Sequence, residues 1–190
     1  MRFFSFVVMF IVILSVWCCS YHEAYVPLSS QQITTHDDVV MYHGEPFNGV
    51  LFDLFPGTSD TAFIGHYKHG LHHGLLRKWY ADKQLKEERY FREGKKYGRQ
   101  ISYWENGNMR FEFTARQDAY EGELKEWNRE GTLIHLATFH NGQEEGPQKL
   151  WYDDGKIRAN YVMIRGKRYG LLGTKNCRNV SDSVFNRTTR

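Results

Sequence analysis

Six glycines, Gly49, Gly74, Gly98, Gly122, Gly146 and Gly170, recur at steps of 25, 24, 24, 24 and 24 residues. A chain that repeats itself at a period of this length folds as a row of like units, and that constraint comes before any search for a site. Other positions keep the register. An aromatic stands five residues after four consecutive glycines (Trp79, Tyr103, Trp127, Trp151), and a second glycine stands nine after three of them (Gly107, Gly131, Gly155). An apolar residue follows at eleven (Leu85, Met109, Leu133, Ile157), and a further turn residue at twenty (Gly94, Asp118, Gly142, Gly166).

One unit reads as strand, turn, strand, turn. Gln100 to Glu105 is rich in strand formers, Asn106-Gly107 is a pair that accepts positive φ in a tight hairpin, and Met109 to Thr114 returns. In the returning segments Leu133, Ala137 and Phe139, then Ile157, Tyr161 and Met163, fall on one side of a period of two, with Arg110, Glu112, Arg158 and Asn160 among the residues between. That alternation belongs to half-buried strands, and Gly or Asn interrupts each run within about ten residues, too soon for an amphipathic helix. The pattern predicts an all-β fold: an antiparallel meander of stacked 24-residue β-hairpin repeats in a single elongated, twisted sheet. All nine glycines at offsets zero and nine are read as turn glycines. The aromatics at offset five are read as the packing layer, each contributing roughly 1.5 to 3 kcal/mol when fully buried.

The chain divides into four parts. Residues 1–19 carry Arg2 and an apolar run from Phe3 to Trp17 broken only by Ser5 and Ser15. That is the form of a secretory signal, shorter than the roughly 20 residues of a spanning helix. Cys18 and Cys19 follow, and a lipoprotein signal ends in a cysteine with an aliphatic residue three places before it and a small one just before. Cys19, with Val16 and Cys18 in those places, is the expected lipidation site; Cys18 has bulky Trp17 before it. Residues 20–37 read as a flexible tether, 38–173 as the repeat domain, and 174–190 as a C-terminal tail. Val39 to Pro46 begin an irregular first hairpin, and residues 56–60, PGTSD, explain the one longer step.

The net charge of +3 is local. Arg2 supplies one positive charge, and Lys175, Arg178, Arg187 and Arg190 against Asp182 supply three more, so the body is close to neutral. Such a body carries no footprint for nucleic acid.

Residues that suggest chemistry are explained by the register. His66, His69, His72 and His73 form a run of the kind that binds metals. The place of His69 is taken elsewhere by Glu93, Gln117, Asn141 and Arg165, and that of His73 by Tyr97, Glu121, Glu145 and Tyr169. The cluster is therefore read as solvated turn positions, with no metal and no cofactor. The carboxylate pairs Glu87 and Glu88, Glu121 and Glu123, and Glu144 and Glu145 are read as doing no acid-base work, the latter two because they stand by the anchoring glycine at the rim of a turn, solvated and without perturbed titration. The nearest histidine before Cys177 is His140, 37 residues away, none follows it, and no serine stands in a strand-turn-helix context. No catalytic residue is assigned. Asn179 and Asn186 match the glycosylation acceptor pattern, which is too short to carry weight.

In register, the stretches YHGEPFNG (42–49), HYKHGLHHG (66–74), RKWYADKQLKEERYFREGKKYG (77–98), SYWENGNMRFEF (102–113) and QEEGPQKLWYDDGKIRANY (143–161) resemble the variant MORN-repeat proteins of bacteria, some of which are named as antitoxins of toxin-antitoxin pairs. The resemblance covers roughly residues 40–175. It implies stacked β-hairpins and, because its motifs are glycines and packing aromatics, no particular chemistry. The expectation is a non-enzymatic scaffold of the bacterial envelope, tethered to the membrane by its N-terminal lipid, that binds an unidentified protein partner. No nucleic acid and no small-molecule substrate are expected. Two alternatives stand: neutralisation of a toxin or effector, which the family name suggests, and direct binding of membrane lipid by the repeats, attributed to some MORN proteins.

Overall fold

A computed structural model describes residues 23–173. The proposed signal, Cys19, Cys177 and the tail lie outside the described residues. Fifteen strands follow in chain order: β1 Ala24–Pro27, β2 Ile33–His36, β3 Val39–Tyr42, β4 Glu45–Pro46, β5 Gly49–Leu54, β6 Thr61–Lys68, β7 Leu71–Trp79, β8 Leu85–Arg92, β9 Lys95–Tyr103, β10 Met109–Arg116, β11 Ala119–Trp127, β12 Leu133–His140, β13 Gln143–Trp151, β14 Ile157–Ile164 and β15 Lys167–Leu171. Twelve form one open sheet in the order β1-β5-β6 and then consecutively to β15. From β5 onward every pairing is antiparallel, so the predicted meander is present.

Two kinds of turn alternate along the chain. At one end of the strands lie two-residue turns, His69-Gly70, Glu93-Gly94, Gln117-Asp118, Asn141-Gly142 and Arg165-Gly166, with φ between 49° and 80° at both positions. This is the type I′ geometry, whose twist matches that of the strands it joins. At the other end lie longer turns in which the Gly107, Gly131 and Gly155 amides donate to the carbonyls of Trp104, Asn128 and Tyr152 at 2.9–3.1 Å. Those glycines have φ of 80–85°, as the turn reading requires. Lys83 occupies the same conformation in the first repeat, at φ 72°.

The glycines at offset zero are not turn residues. Gly74, Gly98, Gly122 and Gly146 lie inside β7, β9, β11 and β13, with φ between 75° and 98°. At each of them the register against the preceding strand slips: Phe113 pairs with Leu124 but Thr114 with Glu121, and Ala137 pairs with Gln148 but Phe139 with Glu144. The period-24 glycine is therefore a β-bulge residue, in a conformation only glycine enters without strain, and each bulge increases the twist of its hairpin. Gly49 and Gly170, in β5 and β15, are kept for space: a Cβ on Gly49 would strike the Ala24 carbonyl oxygen, and one on Gly170 would lie 2.7 Å from that of Asn160.

The hairpins are tied together at both ends. On the type I′ side Gly70, Gly94, Asp118 and Gly142 donate their amides back to Phe47, His72, Lys96 and Tyr120 at 2.8–3.1 Å. On the other side the Tyr80 hydroxyl donates to the Tyr103 carbonyl at 2.9 Å, and the Trp104 indole to that of Trp127 at 3.0 Å. Asn106 donates to the Arg129 carbonyl at 2.6 Å.

The N-terminal boundary differs from the expected one. The described part of the expected tether, residues 23–37, is not continuous coil: β1 pairs in parallel with β5, and β2 joins β3 and β4 in a separate three-stranded sheet. The sheet is thus neither single nor wholly antiparallel. The cause is burial, since Val26, Phe47 and Leu51 form a closed cluster against which Ile33, Val40, Tyr42, Phe63 and Tyr67 pack. This cap is bolted to the first turn by Val40, whose amide donates to Gly70, and by Gly70, whose amide donates to Phe47, both at 2.8 Å.

Candidate interaction face

Strand pairing sorts the side chains of one sheet face into three rows that cross the repeats. The middle row runs Leu51, Gly65, Leu76, Arg89, Gln100, Phe113, Leu124, Ala137, Gln148, Tyr161. Every member is buried except Arg89 and Phe113, which are half-buried. On one side stands an aromatic row containing Tyr67, His72, Phe91, Tyr120 and Phe139. On the other stands a row containing Phe63, Lys78, Glu87, Ser102, Phe111, Glu126, His135 and Leu150. A buried middle row between flanks that are mostly half-buried, with Tyr120 and Lys78 exposed and Ser102 buried, is a trough whose floor the repeats share.

The predicted packing aromatics Trp79, Tyr103, Trp127 and Trp151 are half-buried rather than a closed layer. Each lies opposite the apolar residue six positions on: Trp79 pairs with Leu85, Tyr103 with Met109, Trp127 with Leu133 and Trp151 with Ile157. They close the ends of hairpins, where water still reaches one side. The centre belongs to offset two, with Leu51, Leu76, Gln100, Leu124 and Gln148, and the sequence reading passed over it because Gln alternates with Leu. The signal was there as a doubled period, Leu76 with Leu124 and Gln100 with Gln148. The Gln100 amide donates to the carbonyls of Tyr90 at 2.9 Å and Gly98 at 3.2 Å, and Gln148 to that of Thr138 at 2.7 Å, serving carbonyls beside the bulges.

Charges on this face are held in pairs. Burial opposes ionisation of Glu87, but bonds from Lys78 at 2.8 Å and Arg89 at 2.9 Å hold its carboxyl below the usual carboxylate range. His135 bonds Glu126 at 2.9 Å and lowers that carboxyl as well. Glu144 receives the Tyr161 hydroxyl at 3.2 Å, and burial raises that phenol above its ordinary value. Glu88 points to the opposite face and pairs there with Arg77 at 2.7 Å, so Glu87 and Glu88 do not form a site. Glu121 accepts from the Asn141 amide and bonds His140, both at 3.0 Å, and these bonds lower its carboxyl. It fastens the turn at Asn141-Gly142, so the reading of the carboxylates beside the anchoring glycine as unperturbed is corrected for Glu121.

The histidine run is dispersed. His69 is a type I′ turn residue, as expected, and His66 pairs with Glu23 at 3.2 Å. His72 is not a solvated turn position: its ring lies 4.3 Å from Tyr67 and 4.9 Å from Phe91, centre to centre. Its Nε2 is 3.1 Å from the Tyr67 hydroxyl, and its Nδ1 is buried without a partner among the described residues. Burial lowers the imidazole pKa below its ordinary value, with Lys78 adding to the shift, and burial pushes the Tyr67 phenol up to about 12. Among the described residues no three histidine, cysteine or carboxylate side chains gather as a metal site.

An open sheet of bulged hairpins, zipped at both ends and closed by a cap, defines a β-hairpin repeat protein. Three stretches, residues 73–93, 96–115 and 144–161, match the family model of the MORN repeat variant, and the chain carries MORN repeats of that type. The matches fall on β7–β8, β9–β10 and β13–β14, and the hairpin β11–β12 keeps the same register between them. No curated protein shows significant similarity to the chain.

Proposed function

We propose that the protein is a non-catalytic scaffold, held to a bacterial envelope membrane through lipid on Cys19, whose trough binds a protein partner. The observation that carries this reading is the aromatic row. Tyr120 and Phe139 of that row lie 4.9 Å apart, ring centre to ring centre, Phe113 of the middle row lies 4.8 Å from Tyr120, and Tyr120 keeps 39% of its surface exposed at the rim. An exposed tyrosine among half-buried rings, beside a buried row of Leu, Ala and Gln and with paired charges on the opposite rim, is the composition of a protein interface. Toxin neutralisation is the same activity with a particular partner, and the near-neutral body weakens the direct lipid reading, since anionic headgroups attract basic surface.

The test is crosslinking in intact cells followed by affinity capture, comparing the wild type with Tyr120→Glu and Phe139→Glu. A partner captured by the wild type and lost from both variants at equal expression is the expected result. A partner retained by both removes the trough as the site. For the anchor, radiolabelled palmitate should enter the wild type and Cys18→Ala but not Cys19→Ala.

A further inference from the structure

The sheet ends on β15, the last strand among the described residues, and its outer edge has no neighbour there. The type I′ turn at Arg165-Gly166 makes Ile164 and Lys167 the first hydrogen-bonded pair, so the amides of Lys167, Tyr169 and Leu171 face β14. Those of Arg168 and Gly170 face outward. An edge of this kind is a template for one more strand.

Apolar side chains stand exposed at this end of the described residues. Leu172 stands two residues after Gly170, in the sequence register of Leu51, Leu76, Gln100, Leu124 and Gln148, which are between 0% and 6% exposed. The unbulged pairing of β15 places Gly170, not Leu172, opposite Tyr161, so Leu172 lies just past β15 and outside the floor row, where it is 42% exposed. On the opposite face of the same hairpin Val162, Ile164, Tyr169 and Leu171 are exposed as well.

Charge identifies the occupant. Residues 157–171 contain Arg158, Arg165, Lys167 and Arg168 and no carboxylate. Of these only Arg168 has a carboxylate partner among the described residues, Glu144 at 3.5 Å. A second copy pairing through β15 would bring this basic cluster against itself, and the chain's own residues 174–190 carry a further net charge of +3. Both are disfavoured by like-charge contact. We infer that the β15 edge binds an extended segment of a partner protein, rich in acidic and apolar residues, as an added antiparallel strand. This rests on the protein-binding reading but uses a different surface, so edge and trough are separable.

The test uses the full-length protein in detergent micelles and a fluorescein-labelled decapeptide of alternating Glu and Val, read by fluorescence anisotropy. Saturable binding at least ten-fold tighter than that of the Lys and Val counterpart is expected. Arg168→Pro removes an outward amide without touching the β14 ladder and should weaken binding at least ten-fold. Arg168→Gln, which keeps the amide, should weaken it less. Arg165→Glu with Lys167→Glu should abolish binding and serves as the second arm if the proline variant does not fold. Tyr120→Glu, in the trough, should leave peptide binding unchanged, so a failed trough and a failed edge give different results. No saturable binding, equal binding of both peptides, or full binding by the folded proline variant would overturn the inference. So would self-association through β15 in sedimentation, or binding that emerges only after residues 174–190 are deleted.

Discussion

Lys83 and His72 show how single residues depart from the repeat rule. Lys83 holds φ 72° where Gly107, Gly131 and Gly155 stand in later repeats, and its ammonium pairs with Asp60 at 2.9 Å on the exposed surface. Left-handed backbone costs a non-glycine residue about 1 kcal/mol or more, whereas an exposed ion pair is worth little. Lys83→Gly should therefore raise stability by about 0.5 to 1 kcal/mol, seen as a higher urea midpoint. His72 bears on pH. Its proton is held more weakly in the folded state than in the unfolded one, so between its folded value and the ordinary 6.5 the unfolded chain binds more protons and stability falls as pH falls. His72→Phe keeps a ring between Tyr67 and Phe91 and removes that titration. The melting temperature of the wild type should drop further than that of His72→Phe between pH 7 and pH 5; parallel drops would assign the loss to other groups.

At the scale of the strand and hairpin, most of the architecture was legible because its determinants are local. Asn106-Gly107, Asn141-Gly142 and the alternating Leu133, Ala137 and Phe139 state turn and strand through backbone preference and period two. What was not legible depended on long-range pairing. A glycine with positive φ reads the same in a turn as in a bulge, and only the slip between Phe113 and Thr114 against β11 tells them apart. The strand β1 escaped because its four residues, AYVP, become a strand only when β5 offers an edge and Phe47 covers Val26. The trough floor escaped because Gln100 and Gln148 break a hydrophobic pattern while filling a structural place. The same distinction gives a prediction. Trp104 bonds its neighbour's carbonyl and lies against the Arg110 and Arg129 guanidinium groups, so Trp104→Phe, which keeps a ring and removes the bond, should cost about 0.5 to 1.5 kcal/mol. Trp127 is half-buried opposite Leu133 at the end of its hairpin, and its truncation to Ala should cost about 2 to 4 kcal/mol, short of the full-burial range. Equal urea midpoints for the two variants would mean that the zipper, not the packing, holds the repeats together.

The whole molecule is a row of hairpins in which each unit contacts its neighbours, so stability is a sum of units and interfaces and its loss is local. The two ends of that row are unlike. The N-terminal end is closed by Val26, Phe47 and Leu51, whereas the β15 end presents Leu172 and an open edge. Opening should therefore begin at the C-terminal end, with amide exchange fastest in β14 and β15 and slowest from β5 to β11. Phe47 is 2% exposed, and Phe47→Ala should cost about 3 to 5 kcal/mol by cavity formation. In a globular core such a loss would speed exchange everywhere at once. Here it should speed exchange in β1, β5, β6 and β7 and leave β12, β13 and β14 nearly as protected as before, since five or more strands separate them from the lesion. Hydrogen exchange resolved by strand in the wild type and Phe47→Ala measures this directly. A uniform rise along the chain would show one cooperative unit, and a repeat scaffold whose ends act independently, one anchored and one receptive, would then have to be abandoned.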